Sequence, residues 1–163
     1  MKFGLIGHPI AHSLSPALFR AGYDGRHQYD LIETPDFEQA YERFIRGYDG
    51  INVTAPFKEL AFRKADILSE ECRRIGAANL LIKTPEGVKA YNSDYLGVRL
   101  WLLEVAEGLK RTPPTPSSWV PPPAARGVAR FSAPLPPPRV VIVGLGGAGK
   151  AAAEAAISLG MEV

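Results

Sequence analysis

At 163 residues the chain has room for one domain and part of another. Its net charge of +2 is too small to argue for nucleic acid or an acidic membrane surface as partner, and its single cysteine, Cys72, excludes an intrachain disulfide framework. No apolar run approaches the ~20 residues of a membrane-crossing helix, and MKFGLIGHPIAHS lacks the character of a signal peptide, so the expected setting is the reducing cytoplasm.

KFGLIG is a short apolar run ended by Gly7 and Pro9, which predicts a buried strand. SPALFRAGY predicts a helix with Ser15 as N-cap and Pro16 at its first position. HQYDLIE reads as a second strand. Asp36 opens FEQAYERFIR, an amphipathic helix with Phe37, Ala40, Tyr41 and Phe44 on one face. GINVT is a third strand; PFKELAFRKA and SEECRRIG read as helices, the first started by Pro56 and the second capped by Ser69. ANLLIKT and VKAYN alternate around Pro85-Glu86-Gly87 like a hairpin. Asp94 then caps a long helix, YLGVRLWLLEVAEGL. Strands alternating with helices predict an α/β layer: a mixed, largely parallel sheet with helices on both faces.

From Thr112 to Pro138 the pattern breaks. Ten of these 27 residues are proline and none is acidic. Such a stretch predicts a semi-rigid extended linker, and poly-proline segments of this kind are common spacers. Beyond it RVVIVG, a continuous β-branched run, leads into a glycine-rich turn and AAAEAAISLG. That order predicts a buried parallel strand feeding a helix N-terminus. Gly144, Gly146 and Gly149 have the G-x-G-x-x-G spacing that lets a backbone approach a pyrophosphate, and the alanines behind allow close helix packing.

Three other clusters carry chemistry. In NVTAPFK, Thr54 and Lys58 flank Pro56 near a strand's carboxyl end, where open α/β sheets bind ligands. A lysine at a helix N-terminus is disfavoured there, so either a proton-transfer role or plain solvation accounts for it. In HSLSP, Ser13 and Ser15 present hydroxyls to one side of an extended segment, suited to a carboxylate or polyol, although Ser15 serves equally as a helix cap. Asn79 and Asp94 are polar residues at element edges, Asp94 explicable as a cap alone. His8, His12 and His27 share no metal-ligand spacing with one another or with Cys72, so no metal site is expected.

Taken in order, GLIGHPIAHSLSP, GINVTAPFK, IGAANLL, NSDYLG and VGLGGAG resemble the shikimate dehydrogenase family, over residues 2 to about 107 and again over 139–163. The resemblance implies an oxidoreductase that interconverts shikimate and 3-dehydroshikimate with NADP, on the chorismate route to aromatic amino acids. It implies that Ser13 and Ser15 bind the substrate carboxylate. Thr54, Lys58, Asn79 and Asp94 would contact the ring hydroxyls, with Lys58 and Asp94 as the catalytic pair. Gly144, Gly146, Gly147, Ala148 and Gly149 would cradle the cofactor pyrophosphate, and Glu70 falls where some members place a cofactor contact. The implied division is a substrate domain at 1–108, a linker at 109–138, and the truncated start of a Rossmann-like domain at 139–163.

Three departures from the family pattern stand out. The first helix passes quickly through GYDGR to the next strand, the linker is long, and the residue that reads the cofactor 2′-phosphate would lie past Val163. NADP against NAD is therefore undecided, as is shikimate against quinate. A non-catalytic shikimate-binding module is the rival reading. A homodimer is compatible with either, and residues 139–163 are expected to be poorly ordered or covered by a second copy.

Overall fold

A computed structural model describes residues 1–110 and 137–163. Most of the proline-rich stretch, with its predicted linker character, lies outside the described residues.

Six strands form one mixed sheet: β1 (Lys2–Gly7), β2 (Gln28–Glu33), β3 (Gly50–Val53), β4 (Ile67–Leu68), β5 (Leu80–Thr84) and β6 (Gly87–Tyr91), in the order β2-β1-β3-β5-β6-β4. The connections decide the directions. Helices α1 (Ser15–Gly22) and α2 (Phe37–Gly47) carry the chain back over the sheet, so β1 lies parallel to both β2 and β3. β5 and β6 are joined through Pro85 and Glu86 alone, which forces them antiparallel, and β5 also runs antiparallel to β3. β4 adds two residues parallel to β6; at that length it has no alternation for a sequence reading to detect.

The main core lies on one face, where Ile6, Ile32, Ile51, Val53, Leu81 and Ala90 meet Phe37, Ala40 and Phe44 of α2, Ala61 of α3 (Lys58–Lys64) and Cys72 of α4 (Glu70–Ile75). Strand alternation sends Phe3 and Tyr29 to the other face. There they stack on Phe19 of α1, at ring-centroid distances of 5.2 and 4.6 Å. Helices thus cover both faces, as expected. Asp36 caps α2 as its sequence predicts, accepting from the N–H groups of Glu38 and Gln39.

Three other caps fall differently. Ser15 sits inside α1 behind Leu14, so its hydroxyl is not spent on the helix end. Ser69 occupies the cap position of α4 without making a cap hydrogen bond. Asn92 takes the place predicted for Asp94 at the head of α5 (Ser93–Lys110), accepting from Tyr95 N at 3.2 Å and donating to the Ala77 carbonyl at 2.9 Å. α3 begins at Lys58, two residues after Pro56, and α5 runs two residues past the expected domain edge at 108.

Residues 139–163 depart most from expectation. RVVIVG forms no strand; the segment makes a single parallel bridge, Arg139 to Glu162, and Val141 and Val143 stand 89% and 97% exposed. A parallel strand gains its hydrogen bonds from neighbours, and among the described residues this one has only the short stretch around Glu162 beside it. Yet α6 (Gly147–Ser158) packs against the rest of the chain. Ala151, Ala155 and Ala156 are buried against Ile75, Ala77, Tyr95 and Leu102, forming a second core between α6 and the α4–α5 side of the sheet domain.

Candidate active site

β1 and β3 are neighbouring parallel strands, so both release their chains at the same edge of the sheet. The two loops lie close, with His8 N donating to the Ala55 carbonyl at 3.2 Å, and both loops carry cis prolines, Pro9 and Pro56. A Cβ on Gly7 would stand 2.4 Å from Thr54 Cγ2 and 2.6 Å from Ile10 Cγ2; glycine is what admits this approach. β5 runs the other way and brings Asn79 to the same edge, where its carbonyl accepts from Val53 N at 2.8 Å.

These three loops and the head of α5 enclose a cleft of about 630 Å³. All six residues expected to bind substrate, Ser13, Ser15, Thr54, Lys58, Asn79 and Asp94, line it. Lys58 Nζ donates to Asp94 Oδ2 at 2.6 Å, with the two side chains 15% and 31% exposed. Asn79 Nδ2 donates to Asp94 Oδ1 at 2.8 Å, and Asn79 Oδ1 accepts from Ser93 N at the same distance. The carboxylate is thus fixed by two donors, and the ammonium keeps further hydrogens for a ligand. On the opposite side Ser13 Oγ donates to Ser15 Oγ at 3.1 Å and accepts from Ser15 N at 3.2 Å. A hydroxyl pair on one wall and a lysine–aspartate–asparagine cluster on the other suit a small, polyhydroxylated carboxylic acid.

Among the lining residues that escape the sequence reading, two hydrogen-bond to each other. Tyr29 OH donates to Asn52 Oδ1 at 2.9 Å, and both side chains face the cleft. Burial pushes the Tyr29 phenol above its ordinary range despite a hydrogen bond with Ser15, so it remains a neutral donor. Tyr29 reads as an ordinary strand aromatic. Asn52 did carry a signal: an amide within the apolar run GINV needs a partner, and a partner implies a polar environment.

A second cleft, of about 550 Å³, adjoins the first. Thr54, Ala55, Pro56, Lys58 and Glu59 form one wall; Gly144, Gly146, Gly147, Ala148 and Gly149 form the other. The glycine turn fits a dinucleotide phosphate on its own geometry. Gly144 has φ 98°, open only to glycine, and α6 starts from Gly146 with no side-chain cap, so its first N–H groups are unclaimed by one. A Cβ on Gly147 would press Lys58 Cδ at 2.9 Å. Lys58 therefore borders both clefts. Glu70 borders neither; it is exposed and pairs with Arg74 at 3.5 Å.

Comparison with known proteins finds relatives of similar sequence and fold. Residues 5–81 match the family model described as the shikimate dehydrogenase substrate binding domain. The shikimate dehydrogenase (NADP(+)) of Thermotoga maritima is 32% identical over 99% of this chain and 53% of its own length. That of Thermus thermophilus is 32% identical over 100% of this chain and 54% of its own. The crystal structure of the Thermus enzyme in complex with NADP(H) and shikimate superposes with a TM-score of 0.71 at 29% identity, again with 54% of that chain covered. The chain spans about half the length of the curated relatives it matches. Through residues 5–81 it is similar to the shikimate dehydrogenase substrate binding domain.

Proposed function

We propose that this chain binds shikimate between the Ser13–Ser15 pair and the Lys58–Asp94–Asn79 cluster. With NADP at the glycine turn, it would take part in interconverting shikimate and 3-dehydroshikimate. The observation that carries this reading is the position of Lys58, which borders both clefts while bonded to Asp94 at 2.6 Å. On this reading residues 1–108 are the substrate domain, 109–138 a linker, and 139–163 the opening of a Rossmann-like cofactor domain. The setting is the cytoplasmic route to chorismate and the aromatic amino acids.

Ser13 and Ser15 hold the substrate carboxylate, and Thr54, Asn79 and Asp94 orient the ring hydroxyls. Oxidising a carbinol carbon requires its hydroxyl proton to leave, and a group within about 3 Å must take it. Lys58, as the neutral amine, takes it, and Asp94 holds the resulting ammonium in place and balances its charge. NADP, when bound, accepts or returns the hydride. Gly144, Gly146, Gly147, Ala148 and Gly149 would hold its pyrophosphate, while Glu70, outside both clefts, has little support as a contact. Quinate, one hydroxyl richer, is the competing substrate, and NAD the competing cofactor.

A shikimate-binding module without turnover is a second reading. It is favoured by one observation: RVVIVG joins no sheet, so a single turn and helix supply the far wall of the second cleft. Calorimetric titration of the chain with shikimate, beside Lys58→Ala and an NADP reduction assay, separates the two. Binding with turnover supports the enzyme; binding lost in Lys58→Ala without turnover supports the module. No binding overturns both. Light scattering on the same sample reads whether the chain forms a homodimer.

A further inference from the structure

The first turn of α3 grips the first turns of α6 at two successive residues. Lys58 lies under Gly147, where an added Cβ would meet Lys58 Cδ at 2.9 Å, Lys58 Cβ at 3.1 Å and Ala77 Cβ at 3.3 Å. The next residue, Glu59, forms an ion pair with Lys150, one helical turn past Gly147. Gly147, Lys150, Ala151, Glu154 and Ala155 follow the i, i+3, i+4, i+7, i+8 spacing of one helix face. That face meets the substrate domain along its whole length: Ala151 and Ala155 are buried, and Glu154 takes Arg74 Nε at 3.2 Å. The alanines allow sliding, since small smooth surfaces define register weakly. Charge pairs at 150 and 154 define it.

We propose that Glu59 is a positioning residue: through Lys150 it sets the register of α6 and so holds the glycine turn over Lys58. The inference rests on the cofactor reading of that turn. Lys150 and Glu59 are 40% and 44% exposed, so their pair contributes little to global stability, and its effect is local. Glu59 also lines the second cleft, where an unpaired carboxylate would repel a phosphate. Pairing with Lys150 masks that charge. It also occupies the lysine, so Lys150 acts on the turn's position rather than as an anion ligand.

The test uses the full chain with Glu59→Gln, Lys150→Gln, and the charge-exchanged double variant Glu59→Lys/Lys150→Glu. Amide exchange followed by mass spectrometry is read at residues 150–153, with shikimate and NADP titrations alongside. Each single variant is expected to speed exchange there and weaken NADP binding by about two- to fivefold, the scale of an exposed ion pair. Shikimate affinity should stay unchanged, because Glu59 and Lys150 do not line that cleft. The exchanged pair should restore both. Unchanged exchange in the single variants, or no rescue in the double, overturns the proposal. So does a split in which Lys150→Gln weakens NADP binding and Glu59→Gln strengthens it, which would make Lys150 a direct phosphate ligand. If the unsubstituted chain binds neither ligand, the proposed function fails, while the exchange comparison still decides the register role.

Discussion

Asn92 frees Asp94. By accepting the Tyr95 N–H at 3.2 Å, Asn92 Oδ1 does the capping work that Asp94 is placed to do, two residues on. Asp94 can then give Oδ2 to Lys58 at 2.6 Å and Oδ1 to Asn79 at 2.8 Å. The head of α5 is therefore divided between a residue that secures the helix and one that serves the cleft. Asn92, fully buried, also donates to Ala77 on the segment leading to Asn79.

Asn92→Ala should then act at two levels. Loss of the cap and of a buried hydrogen bond is expected to cost about 1–3 kcal/mol, read from urea unfolding. Shikimate binding should weaken as well, because Ser93 and Asp94 lose their anchor. A stable variant with full affinity would show that Asp94 is positioned by its own contacts.

Asp94→Asn keeps the shape of the side chain and removes its charge. Lys58 then loses a charge-assisted partner in a half-buried setting, and titration calorimetry should show shikimate affinity down by about tenfold. The thermal midpoint should move little, since the pair is open to the cleft.

The glycine turn offers a graded comparison. Gly147→Ala puts a methyl against the flexible Lys58 stem, which can give way, so a modest loss of shikimate affinity is expected with the fold intact. Gly149→Ala is harsher: its Cβ would fall 1.9 Å from the backbone oxygen of Gly144, which cannot yield without opening the turn. Circular dichroism and NADP titration should show helix loss and abolished cofactor binding for Gly149→Ala alone.

Acid stability turns on Asp30. Burial raises its carboxyl, but hydrogen bonds from Lys2, Tyr48 and Gln28 and the Lys2 charge outweigh that and hold it below its ordinary 3.8. A depressed carboxylate contributes stability that is present above its unfolded value and lost as pH falls through the folded one. Stability should therefore fall below about pH 4, and Asp30→Asn should flatten that limb in pH-dependent unfolding. Lys2, raised chiefly by its hydrogen bond to Asp30, works at the other end: its contribution is lost only above about pH 10.5.

Much of this was local enough to read. The strand KFGLIG, the Asp36-capped helix and the hairpin at Pro85-Glu86 appear where their residues predict them, because periodicity, caps and turn length act over a few neighbours. The proposed substrate residues were legible through resemblance rather than through spacing: Ser13, Lys58, Asn79 and Asp94 are well separated in sequence, and no local rule joins them.

What the sequence could determine alone was the identity of most elements before the proline-rich stretch and the list of polar side chains available to a site. The tertiary structure decided which backbone groups those side chains serve. Asp94 and Ser15 each looked sufficient as a helix cap, and only the placement of Asn92 and Leu14 leaves them to the cleft. Tertiary context likewise decided RVVIVG. β-branched residues favour extended chain, but a strand exists through its neighbours' hydrogen bonds, and here the neighbours supply one bridge. Helix α6 needs no such partner for its own hydrogen bonds, which is why it forms and docks where the strand does not.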